Sequence, residues 1–244
     1  MILIIAIGLL LAGVIQTERK YTTKPYKNVQ VKVLPVIDQH FINEESILAY
    51  LTARMHELDN DTTLLHNIPT KTLENIIKTH NFVLHCSAYK HWHGNVTITI
   101  VPRKVLARMM HADIPDCYID NEGVIIPLSP TYTPRVVLME SARKYSATDL
   151  HAIQPYGKSL LHMLQLFASD TFWHTQIIHI AINHQEEVTL TTKLGRHQVQ
   201  LGTLYQWEDK LKRLKLFYEV ILPAKGWGAY KVINLKFDSQ IICE

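Results

Sequence analysis

Histidine is the residue type that most invites chemistry in this chain, with 14 among 244 residues. The densest group is His85-Cys86 followed by His91-Trp92-His93. Two histidines at i and i+2 of a strand share a face, a spacing that zinc and copper sites use. Here the pair abuts Gly94 in a turn segment, with no carboxylate or cysteine at ligand spacing, so surface histidines are expected. His174, His179 and His184 recur every five residues, which neither a helix nor a strand places on one face. No metal site is expected.

Other reactive patterns reduce in the same way. Asp120 and Glu122 stand close enough to suggest an acid–base pair, but they flank Asn121 and Gly123 in a turn, where such residues serve conformation. The chain has no Gly-x-Ser-x-Gly, no Gly-rich phosphate loop and no His-Glu-x-x-His. Gly226-Trp227-Gly228 precedes a strand rather than a helix, so it reads as a loop. Cys86, Cys117 and Cys243 are odd in number and match no Cys-x-x-Cys pattern; buried, unpaired thiols are the expectation. No enzyme and no cofactor follow from these residues.

An apolar fraction of 47% with 19% charged residues describes a folded protein of one large or two ordinary domains. A net charge of +3 is too small to argue for nucleic acid. Met1 to Ile15 carries no charged side chain, and Glu18, Arg19, Lys20 and Lys24 follow it. The run is short for a bilayer span of about 20 residues, and it lacks the basic start of a signal peptide. Residues 1–17 are expected to be a membrane anchor and 18–27 a polar tether. Basic residues after the segment favour, by charge bias alone, a cytoplasmic body.

Two textures follow the tether. Val29, Val31 and Val33 predict a strand; Asn43, with Glu44 and Glu45 behind it, predicts a capped helix carrying Ile47, Leu51, Met55 and Leu58. Leu73, Ile76 and Ile77 predict a second helix ending near His80. Phe82–Tyr89 and the alternation of Val96, Ile98 and Ile100 with Thr97, Thr99 and Val101 predict two strands joined at Gly94-Asn95. This order makes a three-stranded sheet with both helices on one face.

After Arg103 come short strands at Leu106–His111, Cys117–Asp120, Val124–Pro127 and Val136–Met139, with a hairpin at Asn121–Gly123. A helix follows Pro155 with Leu160, Leu161, Leu164 and Phe167 on one side. Three strands are expected at Ile177–Asn183, Glu187–Lys193 and His197–Gly202, then a helix from Thr203 to Leu222. On its outer face Glu208 would meet Lys212, and Asp209 would meet Arg213. A closing strand, Val232–Phe237, leads to Ile241-Ile242-Cys243; a terminal strand at a sheet edge offers unpaired backbone groups to a partner.

Four segments in this order resemble the FtsQ/DivIB family of bacterial division proteins. Val101-Pro102-Arg103-Lys104-Val105-Leu106-Ala107-Arg108-Met109 is similar to the family's Val-Glu-Gln-Lys-Pro-Val-Ala-Arg-Trp, with Lys104, Ala107 and Arg108 kept and Val105 in place of proline. Ile119-Asp120-Asn121-Glu122-Gly123-Val124 is similar to its Ile-Asp-x-x-Gly-Val hairpin. Val199-Gln200-Leu201-Gly202 with Lys210-Leu211 is similar to its Val-x-Leu-Gly strand and following helix. Val232-Ile233-Asn234-Leu235-Lys236-Phe237 resembles its closing Tyr-Val-Asp-Leu-Arg-Tyr strand, while Val31-Lys32-Val33 stands where the family has Val-x-Gly.

The resemblance implies an α+β protein: a membrane helix, a POTRA domain of β-α-α-β-β order at 28–102, and a mixed β-domain with two helices at 103–244. It implies an inner-membrane scaffold with its body in the periplasm, at the division septum. FtsB/FtsL-type partners would add a strand at the C-terminal edge, contacting Val232, Leu235, Lys236, Phe237, Asp238 and Ser239, with Phe237 as the aromatic anchor. Two competing readings are an accessory of outer-membrane protein assembly or secretion carrying a POTRA domain, and a His-rich periplasmic metal-binding protein. The first expects repeated POTRA units or a barrel of long strands.

Overall fold

The computed structural model describes residues 28–58, 69–142, 149–152, 156–237 and 239–244. The expected anchor and tether, 1–17 and 18–27, and Pro155 lie outside the described residues. The chain divides into two compact units between Arg103 and Lys104.

In the first unit β1 (Asn28–Val33), α1 (Glu44–Leu58), α2 (Thr70–Lys78), β2 (Val83–Lys90) and β3 (Asn95–Pro102) follow the expected order. The sheet runs β1-β3-β2, with β1 parallel and β2 antiparallel to the central strand. Alternation in β3 decides its faces. Val96, Ile98 and Ile100 are buried with Val31 and Cys86 against Ile47, Leu51, Leu73 and Ile77 of the helices. Asn43 caps α1 as expected: its Oδ1 accepts the Ser46 N–H at 2.7 Å, and Ser46 Oγ accepts the Asn43 N–H at 2.9 Å. The turn before β3 closes through Gly94, whose positive φ of 89° suits glycine.

The second unit is a nine-stranded mixed sheet. It comprises β4 (Val105–His111), β5 (Ile114–Asp120), β6 (Ile125–Pro127), β7 (Val137–Ser141), β8 (Ile177–Ile182), β9 (Val188–Thr192), β10 (Gln198–Gly202), β11 (Val232–Asn234) and β12 (Ile242–Cys243). Their spatial order is β12-β11-β10-β9-β8-β7-β4-β5-β6. The β5–β6 hairpin forms at Asn121–Gly123. There Asp120 Oδ1 accepts the N–H groups of Glu122 (2.9 Å) and Val124 (2.8 Å), which makes this carboxylate a turn builder.

Helices differ from expectation in number and bounds. The two expected become α3 (Tyr156–Ser169), a short α4 (Thr171–Gln176), α5 (Trp207–Leu216), a π-helical stretch Phe217–Ile221 and α6 (Leu222–Lys225), with a 3-10 turn at Leu150–Ala152. Asp170 starts α4 by accepting the Phe172 and Trp173 N–H groups. The helix expected from Thr203 begins four residues later, because Gly202 (φ 74°) and Gln206 (φ 49°) are both left-handed. The π stretch widens just before Pro223, which has no N–H to give to Glu219. Leu160, Leu164, Phe167, Leu211, Leu214 and Tyr218 bury their apolar stripes in one core with Ile180, Leu190, Val199 and Ile233.

Candidate functional site

The C-terminal hairpin of the second unit is where sheet, helix and chain end converge. Its inner strand, β11, stops at Asn234, because the Asn234 Oδ1 accepts the Lys236 N–H at 3.0 Å and bends the chain. Leu235 still donates its N–H to Gln200 O at 2.9 Å and is fully buried. Phe237, half exposed, then stands out from the loop, and Ser239 (φ 59°) helps turn the chain back into β12.

Expectation and structure part on the strand itself. Val232–Phe237 is not one continuous edge strand: β11 covers only Val232–Asn234 and lies between β10, parallel, and β12, antiparallel. Val232 exchanges both backbone bonds with Glu244, each at 3.0 Å. The rim of the sheet is therefore β12. Since Val232 and Glu244 form a hydrogen-bonded pair, the next pair, Ile233 with Cys243, is of the other kind. The N–H and C=O of Cys243 point away from β11, into the open side.

Several contacts set the loop's shape. The Arg213 guanidinium on α5 donates to the carbonyls of Phe237 (3.2 Å) and Gln240 (3.5 Å). The expected pairing of Arg213 with Asp209 gives way to this; Asp209 instead accepts from Lys212 at 2.9 Å. Lys236 Nζ donates to Glu187 at 2.9 Å, and that bond, with one from Asn183, holds the Glu187 carboxyl below its usual range. Leu216 and Val220, one and two turns beyond Arg213, are exposed. At the start of α5 Lys210, 6% exposed, donates to the carbonyls of Leu201 (2.9 Å) and Thr203 (3.0 Å), closing the end of β10.

A buried knot fixes the chain that leads into β11. His197 is fully buried; its Nε2 lies 2.9 Å from the Trp227 carbonyl and its Nδ1 2.7 Å from the Tyr218 hydroxyl. A carbonyl only accepts, so Nε2 donates to Trp227, while the Tyr218 hydroxyl sits between Nδ1 and Thr192 Oγ1, 3.3 Å away. Burial pushes the Tyr218 phenol up to about 12, which keeps it a donor. The ring fills the space over Gly195, where any Cβ would collide with it.

The expected contact residues therefore scatter. Phe237 and Lys236 reach solvent, Ser239 turns the loop, Leu235 belongs to the core, and Val232 has its backbone committed. Asp238 lies outside the described residues. Sequence reasoning paired Arg213 with Asp209 and ran the closing ribbon on to Cys243 without a separate strand there; the β-branched pair Ile241-Ile242 behind a Ser-Gln turn is the signal for one. Among the described residues no group of three or more His, Cys, Asp or Glu could hold a metal. His91 bonds Thr97 at 3.0 Å across the hairpin. The three cysteines are free, and burial pushes Cys86 and Cys117 up to about 11. The hairpin presents one open backbone register, at Cys243, and an exposed aromatic ring, Phe237.

Comparison with known proteins agrees with the two-unit division. The family model described as FtsQ/DivIB, C-terminal related, matches residues 104–244, and that described as POTRA-like domain matches residues 26–101. No curated protein matches the chain.

Proposed function

The chain belongs to the FtsQ/DivIB C-terminal-related family, a family of division-machinery scaffolds, and from that premise we propose that it recruits a partner by strand addition at β12. The partner is an extended segment of an FtsB/FtsL-type division protein. It pairs with the open N–H and C=O of Cys243, while Phe237 receives one of its apolar side chains. In this reading residues 1–17 anchor the chain in the inner membrane, the body lies in the periplasm, and the protein links early and late components at the septum without catalysing a reaction.

One observation carries the reading: β12 ends the sheet, and the register turns the Cys243 backbone outward. It moves the contact from the six residues first expected to a smaller set. Phe237 and Lys236 remain, Ile242 and Cys243 join them, and Leu235 acts from inside as packing. Arg213 serves as the brace that holds the loop in its binding shape.

Titration of the full chain with a synthetic extended segment from the partner tests this. Saturable binding that disappears when the segment's backbone amides are N-methylated supports strand pairing. Binding insensitive to that methylation would refute it. Fluorescent tagging checks the cellular half, with enrichment at midcell expected and uniform envelope staining contrary to it.

A further inference from the structure

The end of the first unit's sheet from which the chain runs back to its apolar N-terminal segment carries an exposed aromatic and basic hairpin tip. β1 begins at Asn28, which pairs with Asn95, the first residue of β3. Residues 91–94, the turn between β2 and β3, thus lie at the end of the sheet where the preceding 27 residues join. The opposite end is where β3 finishes at Pro102.

The tip's chemistry is that of a bilayer interface. Trp92, its ring centroid 3.4 Å from that of His93, is 74% exposed, and Tyr89 is 68% exposed. Lys90, His91 and His93 surround them, with the Tyr89 ring edge-on to His91 at 5.2 Å. Trp and Tyr favour the headgroup layer, where the ring's apolar body and polar N–H or O–H are both satisfied, and an adjacent Lys meets lipid phosphate. The expected tether also carries Arg19, Lys20 and Lys24 in its sequence. Its ten residues, 18–27, span at most about 35 Å when fully extended, which keeps the tip within reach of the headgroups.

We infer that the His91–Gly94 tip, with Tyr89 and Lys90, is a second membrane contact that seats the first unit on an anionic bilayer surface. The inference rests on the reading of residues 1–17 as an anchor. Two contacts at one end of the sheet would restrict the tilt of the unit, where a tether alone would leave it free.

The full chain, reconstituted into vesicles of phosphatidylcholine and phosphatidylglycerol, tests this with acyl chains plain or brominated near the headgroup. Trp92→Phe leaves Trp173, Trp207 and Trp227, so the difference between wild type and variant isolates the Trp92 emission. Expected is loss of that component in brominated vesicles, with a blue shift in plain ones that Lys90→Glu diminishes. Protein that floats with vesicles while Trp92 emission is unchanged by bromine overturns the hairpin contact and leaves the anchor standing. Failure to float overturns both. A Trp92 shift that needs an added protein, not lipid, assigns the tip to a protein partner and also overturns the inference.

Discussion

Arg213 donates to the carbonyl of Phe237 at 3.2 Å, so a side chain of α5 sets the position of the ring that the sheet's end displays. The same guanidinium reaches Gln240 O, bracing both ends of the Phe237–Gln240 loop. A single guanidinium nitrogen, Nη1, donates to both carbonyls, which restricts the loop between them.

Display and brace are separable. Phe237→Ala removes the ring but no bond within the hairpin, so affinity for the partner segment should fall by ~1–3 kcal/mol with an unchanged melting temperature. Arg213→Met should also weaken binding while Phe237 remains, through a looser loop. Calorimetric titration paired with thermal melts distinguishes the two variants; wild-type affinity in F237A would remove the ring from the interface.

Proline placement tests the rim. Cys243 turns its N–H outward, so Cys243→Pro should abolish strand addition and leave the hairpin folded. Glu244→Pro instead deletes the donor to Val232 O and should loosen β12 from β11. Circular dichroism and pull-down with the partner segment read the two effects. Undiminished binding by C243P would place the partner elsewhere.

How much of this was legible follows from physical range. The alternation in β3 and the Asn43 cap are signals spanning a few residues, and both are legible in the sequence. The start of α5 depended on Gln206 taking φ 49°, a conformation glutamine does not announce. β11 ended early because one Asn side chain bonded two residues onward, a choice Asn allows but does not force. The rim was the hardest part. A two-residue strand has no period, and which strand closes a nine-stranded sheet depends on pairings between residues far apart in sequence.

Lys210 buries its ammonium to close the end of β10, with the carbonyls of Leu201 and Thr203 as acceptors. Lys210→Met keeps the aliphatic stem but strips two carbonyls of a charged donor. A loss of ~1–3 kcal/mol in the second unit is expected from urea denaturation, with the first unit's transition unmoved. Equal stability of variant and wild type would mean that water replaces the ammonium at no cost.

His80 should make the first unit sensitive to mild acid. Its ring is half-buried, edge-on to Tyr50 at 4.8 Å, and its Nδ1 accepts the Phe82 N–H at 3.3 Å. Burial holds its pKa below the ordinary histidine value of 6.5. Above pH 6.5 the imidazole is neutral whether the unit is folded or unfolded, and the full stability is present. Below that, the unfolded chain binds the proton more readily than the folded one, so stability falls with pH until the folded ring itself protonates. In urea series at pH 7.5, 6.5 and 5.5, amide protection of Val83–Lys90 should be lost at progressively lower urea. His80→Asn offers a carbonyl to the Phe82 N–H without a titrating ring, and should flatten that trend. Parallel slopes in variant and wild type would assign the acid sensitivity to other groups.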